Sequence, residues 1–268
     1  MPPRCGVLGS PIAHSLSPRL HRAAYAHLGL DWEYERHEVT EPALRGFVDG
    51  LDASWRGLSL TMPLKHEAVR LATDVSDLAR RVGAANTLVL DGPHRYADNT
   101  DVPGLAAALR ERGVGRVERA SVLGGGATAA SALAALAGIA GHVDVVVRDP
   151  ARAGAVVRLA DAVQLPCDVV PWGDAGAALA APLVVATTPK GAADALAANV
   201  PPSPGVLFEV LYDPWPTPLA AAWAAAGGVV LGGLDLLVHQ AVLQVELMTG
   251  SAVPVAVLRS ALSVGGAA

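Results

Sequence analysis

The 268-residue sequence predicts an α/β protein of two α/β domains, on three observations. Short apolar or β-branched runs alternate with helical stretches, the pattern of a largely parallel sheet covered by helices. A glycine cluster, Gly124-Gly125-Gly126, stands between one such run and an alanine-rich helix. The chain is 52% hydrophobic and only 17% charged, too apolar for disorder, and its length suits about two domains with real cores.

The elements follow in order. Cys5 to Gly9 reads as a first strand, and a helix follows from Pro18, since proline suits a first helical turn. Trp32 to Val39 alternates in polarity and reads as a strand; Gly57 to Thr61 is another, stopped by Pro63. Ala84 to Leu90 and the segment around Tyr96 form a hairpin through Asp91-Gly92, a strong turn dipeptide. Val102 to Arg112 is helical, with Leu105 and Leu109 four apart. Strand Ala120–Leu123, the glycine turn, helix Ala127–Ala140 and strand Val143–Val147 make one βαβ unit of a nucleotide-binding domain. Leu183–Ala186 and Val206–Val210 supply further strands. Gly233–Thr249 is a helix that gathers Leu234, Leu237, Val238, Ala241, Val242 and Val245 on one face. The division is an outer domain of residues 1–101 plus 233–268, with a dinucleotide domain inserted at 102–232.

Composition excludes several classes. A net charge of −5 gives no global attraction for nucleic acid. Cys5 and Cys167 lie far apart and form no ligand pattern, which points to a reducing compartment. None of the eight histidines forms HExxH or a comparable pair, so no metal is expected. Ala120–Val143 and Pro214–Leu234 carry no charge over more than the ~18 residues that flag a membrane span, but glycine, alanine, serine and threonine fill the first and prolines break the second. The N-terminal MPPRCGVLGSPIAHS has no continuous apolar core, so the expectation is a soluble, cytoplasmic chain without signal peptide or membrane partner.

The motifs carry the chemistry. Glycines after a strand permit a tight turn and bring backbone N–H groups at a helix start onto a pyrophosphate. Here the run is Gly124-Gly125-Gly126-Ala127-Thr128-Ala129, with alanine at the third fingerprint position. At the end of the second strand an acid would grip a ribose 2′-hydroxyl and a base a 2′-phosphate. Arg148 and Arg152 there favour NADP over NAD, since guanidinium forks onto phosphate; Asp149 argues the other way unless it caps a helix ahead of Pro150. Lys65 follows a strand and a proline stop, the strand end where open α/β sheets build sites. Taken alone, Asp101 reads as a helix N-cap, and so do the hydroxyls of Ser15 and Ser17 ahead of Pro18.

Together the motifs form a set. Ser15-Leu16-Ser17-Pro18, Thr61-Met62-Pro63-Leu64-Lys65, Ala85-Asn86-Thr87, Asn99-Thr100-Asp101, the glycine turn, Tyr212-Asp213-Pro214 with Thr217-Pro218-Leu219, and Gly233-Leu234 with His239-Gln240-Ala241 occur in one order along the chain. That order resembles the shikimate dehydrogenase family over nearly the whole length. The resemblance implies an N-terminal substrate domain completed by C-terminal helices, a Rossmann-like NADP domain between them, and an active site in the cleft. It implies NADPH-dependent, reversible reduction of 3-dehydroshikimate to shikimate on the way to aromatic amino acids, by a monomer or homodimer. By position, the family's catalytic pair falls on Lys65 and Asp101, and its substrate contacts on Ser15, Ser17, Thr61, Asn86 and Gln240, with Tyr212 nearby. Its cofactor contacts fall on Gly124, Gly125, Gly126, Ala127, Arg148, Arg152, Thr188, Gly233 and Leu236.

The sequence departs from the family in places. Val147-Arg148-Asp149 stands where Asn-Arg-Thr is usual, and Ala186-Thr187-Thr188-Pro189 lacks the usual asparagine. Leu236 replaces a methionine, and Glu209 an aspartate. Two alternatives stay open: a quinate/shikimate or aminoshikimate dehydrogenase using NAD on the same scaffold, and a non-catalytic ligand sensor. Lys65 and Asp101 speak against the sensor, which needs no proton donor.

Overall fold

The structure, a computed structural model, describes residues 1–263, the side chain of Arg152 excepted. The chain forms two compact units, Met1–Gly104 with Leu237–Ala268, and Leu105–Leu236. No described helix is long and apolar enough to cross a membrane.

The first unit runs β1 (Arg4–Gly9), α1 (Ser17–Leu28), β2 (Glu33–Glu38), α2 (Leu44–Asp49), β3 (Trp55–Leu60), α3 (Lys65–Leu71), β4 (Asp74–Val75), α4 (Asp77–Val82), β5 (Thr87–Asp91) and β6 (His94–Asp98). Helix α5 (Asp101–Glu111) begins in it and ends in the second unit. The sheet order is β2-β1-β3-β5-β6-β4. It is mixed where a largely parallel sheet was expected: β1, β2 and β3 are parallel, but β5 runs antiparallel to both β3 and β6. The Asp91-Gly92 hairpin reverses the chain, and a hairpin can only make antiparallel neighbours. Leu8, Leu58, Leu60, Leu64 and Leu88 fill one core of this unit, and Leu20, Ala24, Val238, Ala241 and Val245 pack α1 against the returning helix.

The second unit runs β7 (Val117–Leu123), α6 (Ala127–Leu136), β8 (Ala140–Val147), α7 (Gly154–Ala162), β9 (Cys167–Pro171), α8 (Ala175–Ala178), β10 (Leu183–Ala186), β11 (Val206–Glu209), α9 (Pro218–Ala225) and β12 (Val229–Leu231). Helix α10 (Gly233–Thr249) starts here and continues into the first unit, where α11 (Val255–Ser263) follows. The order β12-β11-β10-β7-β8-β9 is parallel throughout, the arrangement of a dinucleotide-binding sheet. Central strand β10 is buried along its whole length, so it reads as a continuous Val/Leu/Ala run. Helix α6 is shorter than expected, ending at Leu136 instead of Ala140, and β8 starts at Ala140 instead of Val143. The Ile139 carbonyl accepts from Val117 N–H (2.9 Å), so the chain has already joined the sheet there.

Candidate active site

Register brings three segments of the first unit to one sheet edge. Ser59 pairs with Thr87 and Thr87 with Asp98, so the end of β3, the start of antiparallel β5 and the end of β6 coincide. Lys65 opens α3, Asn86 precedes β5 and Asp101 opens α5, so all three sit at that edge. Lys65 Nζ donates to Asp101 Oδ2 at 2.7 Å, with side chains 11% and 8% exposed. A carboxylate suits a helix N-terminus and an ammonium does not, so Asp101 is held by its helix while it offsets the placement of Lys65.

Asp101 is not the N-cap the sequence suggested. Asn99 Oδ1 takes the N–H groups of Asp101 (3.0 Å) and Val102 (3.2 Å), which leaves the Asp101 carboxylate for side chains. Asn86 Nδ2 donates to Asp101 Oδ1 (2.9 Å), Thr100 Oγ1 (2.9 Å) and Gln240 Oε1 (3.3 Å). An amide nitrogen has two hydrogens, so these three acceptors share them. Gln240, on α10, is pinned by its own Nε2 donating to Leu237 O at 2.8 Å. A Cβ on Gly104 would lie 2.9 Å from the Gln240 backbone nitrogen, so only glycine lets α5 and α10 approach there.

The serines do not cap α1 as expected. Its N-cap is Leu16, without a side-chain bond; Ser15 Oγ accepts from Ser17 N–H (3.3 Å), and both serines are buried. The Ser15 carbonyl accepts from Arg36 Nε at 2.8 Å. Thr61 is tied to the sheet by its N–H on Leu8 O (2.9 Å). Five of the six substrate-contact candidates thus belong to the first unit with the Lys–Asp pair. Tyr212 belongs to the second, on the loop after β11.

In the second unit the strand order reverses between β7 and β10, the switch point at which such sheets bind ligands. Gly124, Gly125 and Gly126 leave β7 there, and Thr187 and Thr188 leave β10. The Leu123 carbonyl takes both Thr187 N–H (2.9 Å) and Thr187 Oγ1 (2.9 Å). Gly124 has φ +118, and a Cβ on it would lie 2.6 Å from Thr187 Oγ1. Gly126 is the N-cap of α6 with no side-chain bond, a Cβ there would meet nothing within 4 Å, and Ala127 begins the helix. Thr188 Oγ1 is buried without a hydrogen-bond partner among the described residues. An uncapped helix start beside an orphaned hydroxyl fits a pyrophosphate-bearing cofactor.

Around this cradle, Arg148 is exposed just past β8, with no ion pair among the described residues. Asp149 caps the next turn as expected, its carboxylate accepting from Ala151 N–H at 3.1 Å. Arg152 lies on that turn, and its side chain falls outside the described residues. Gly233 starts α10 with its N–H on Leu211 O (3.1 Å), and Leu236 is buried.

Glu209, at the end of β11, is almost fully buried, accepting from Leu211 N–H (3.4 Å) and Thr217 Oγ1 (3.3 Å). Burial pushes its carboxyl up to about 7. Between the ordinary carboxyl range and that value the folded chain keeps a proton that the unfolded chain has lost, so stability falls as pH rises from about 4.5 to 7. Glu209→Gln should flatten this decline, by at most about 3 kcal/mol, in melting curves between pH 4 and 8. An unchanged slope would assign the decline to other groups.

The structure also assembles a cluster that no sequence spacing announced. His142 Nε2 lies 3.1 Å from Asp168 Oδ2 and 3.6 Å from Asp144 Oδ1, within reach of a metal ion. Arg119 already forks onto Asp144 and lies 3.7 Å from Asp168, supplying the positive charge there.

Fold and site together define a two-unit α/β chain, one unit carrying a buried Lys–Asp pair in an amide frame and the other a dinucleotide-type cradle. The chain belongs to the shikimate dehydrogenase family. The family profile described as Shikimate dehydrogenase substrate binding domain matches residues 7–88, and that described as Shikimate 5'-dehydrogenase C-terminal domain matches residues 233–262. Shikimate dehydrogenase (NADP(+)) of Methylobacterium radiotolerans is 40% identical over 90% of this chain and 89% of its own length. The crystal structure of Mycobacterium tuberculosis shikimate dehydrogenase superposes with a TM-score of 0.90 at 43% identity, over 98% of this chain and 100% of that one. That of the Thermus thermophilus shikimate 5-dehydrogenase in complex with NADP(H) and shikimate has a TM-score of 0.85 at 34% identity, over 97% and 98%.

Proposed function

We propose that this chain catalyses the NADPH-dependent, reversible reduction of 3-dehydroshikimate to shikimate in aromatic amino acid biosynthesis. The observation that carries the reading is the 2.7 Å Lys65–Asp101 pair inside a frame of hydroxyls and amides. Such a lining suits a small anionic polyol. The first unit is the substrate domain and the second the NADP domain. When bound, the nicotinamide supplies the hydride.

Lys65 does the proton work. Negative charge develops on the ketone oxygen, and the Lys65 ammonium stabilises that charge and hands a proton to it. Asp101 holds Lys65 in place through Oδ2 and is itself held by Asn86 through Oδ1. Because Asn86 has more acceptors than hydrogens, it can exchange its longest contact, Gln240 at 3.3 Å, for a substrate hydroxyl without leaving a donor unpaired. Ser15, Ser17 and Thr61 offer hydroxyls for the carboxylate. Gly124, Gly125, Gly126 and Ala127 would hold the pyrophosphate, Arg148 and Arg152 the 2′-phosphate, and Thr188, Gly233 and Leu236 the rest of the cofactor.

The enzyme works in the cytoplasm as a monomer or homodimer, a placement supported by the two unpaired cysteines. Near-UV absorbance on mixing the protein with shikimate and NADP⁺ tests the reading. Growth of the NADPH band is expected. Faster turnover of quinate with NAD⁺ would make it a quinate dehydrogenase, and tight shikimate binding with no hydride transfer would make it a sensor.

A further inference from the structure

Helix α10 carries a second glutamine one turn beyond Gln240. Gln244 is 1% exposed and makes no hydrogen bond to Lys65 or Asp101, yet all of its hydrogen-bonding capacity is used. Its Oε1 accepts from Ser59 Oγ (2.7 Å) and His21 Nε2 (3.3 Å). Its Nε2 donates to the Asn86 carbonyl (3.0 Å) and Thr87 Oγ1 (3.1 Å). Burial lowers His21 to about 3, so the ring is neutral and must use its Nε2 hydrogen for this bond.

The bonds fit one direction of donation. Tyr34 O–H donates to Ser59 Oγ (2.6 Å), and Ser59 donates to Gln244. Gln244 donates to Thr87, and Thr87 Oγ1 donates to Asn86 Oδ1 (2.9 Å). With Asn86 Oδ1 receiving hydrogens, Nδ2 is turned toward Asp101, the partner of Lys65. Every link but the last lies in buried polar side chains, where an unpaired group is costly and the alternatives are few.

We infer that Gln244 is a positioning residue for the proposed reaction, holding Asn86 from behind by backbone carbonyl and by Thr87, and through Asn86 the Lys65–Asp101 pair. The inference rests on the reading of that pair as the proton-transfer group.

The test is Gln244→Met in the full chain, similar in volume and unable to form the bonds. Turnover should fall about tenfold or more, as misplacement of catalytic groups does. The isotope effect with 4-deuterated NADPH should rise, because hydride transfer becomes slower than product release. NADPH affinity should stay within about twofold, since its contacts are in the other unit. A merely structural role would lower the melting temperature without moving the isotope effect. Turnover within twofold of wild type, or a loss that tracks NADPH affinity, overturns the inference. Should Gln244→Met not fold, Thr87→Val, isosteric and cutting the same chain, must show the same loss and raised isotope effect, and its normal turnover overturns the inference equally. A wild-type chain that does not oxidise shikimate instead removes the functional reading itself.

Discussion

Replacing Lys65 by alanine should lower turnover at least about 10²-fold, the usual scale for losing a general acid, and leave shikimate binding largely intact. The ammonium makes a 2.7 Å ion pair with Asp101 in a site where both side chains are about nine-tenths buried. In the proposed mechanism its interaction with substrate grows as charge builds on the ketone oxygen, so its loss should appear in kcat more than in affinity. Asp101 would be left as a buried carboxylate still accepting from Asn86 at 2.9 Å, which limits collapse of the frame. Steady-state rates with calorimetric shikimate binding check this. Near-normal turnover would remove Lys65 from the mechanism.

Gly124→Val should weaken NADP⁺ at least about tenfold. At φ +118 a β-branched residue is strained by about 1–3 kcal/mol; the free turn relieves this by leaving the shape that presents the start of α6, and each 1.4 kcal/mol needed to restore that shape on binding is about tenfold in affinity. Its Cβ would also press on Thr187 Oγ1, which is hydrogen-bonded to the Leu123 carbonyl. Both effects act on the turn that presents the start of α6. Shikimate binding, proposed for the first unit, should change less than twofold. Calorimetry with each ligand separates the two, and normal NADP⁺ affinity would place the phosphates elsewhere.

These predictions draw on features of unequal legibility. The second unit's βαβ segment was readable because strand, turn and helix are contiguous and each has a local signal: valines, glycines, then alanines. Helix α10 was readable to its ends because its apolar face repeats at helical spacing. Edge strands β9 and β12 were missed, since Asp168 interrupts the apolar run of β9 and β12 is only three residues long between two glycine pairs. The C-terminal end of α6 was overrun because alanine favours helix whatever follows it. At Asn99-Thr100-Asp101 three capping residues stood in a row. Which one caps was decided by Lys65, thirty-six positions away in sequence, drawing Asp101 into an ion pair. Gln244 had only its spacing from Gln240 to mark it. Its role depends on Ser59, Thr87 and Asn86, which the sheet register assembles.

The contact between Gly124 and Thr187 bears on biosynthesis. The bond from Thr187 Oγ1 to Leu123 O spans 64 positions, whereas β8 reaches β7 across a short α6 connection. A chain that has left the ribosome only as far as β9 can pair β7 on one side, with nothing against the other face of its glycine turn. The phosphate cradle is therefore a property of a chain at least as long as Thr187, and closing that longer loop is the entropically harder step. Until then the newly made segment has its glycine fingerprint in sequence but not yet in shape.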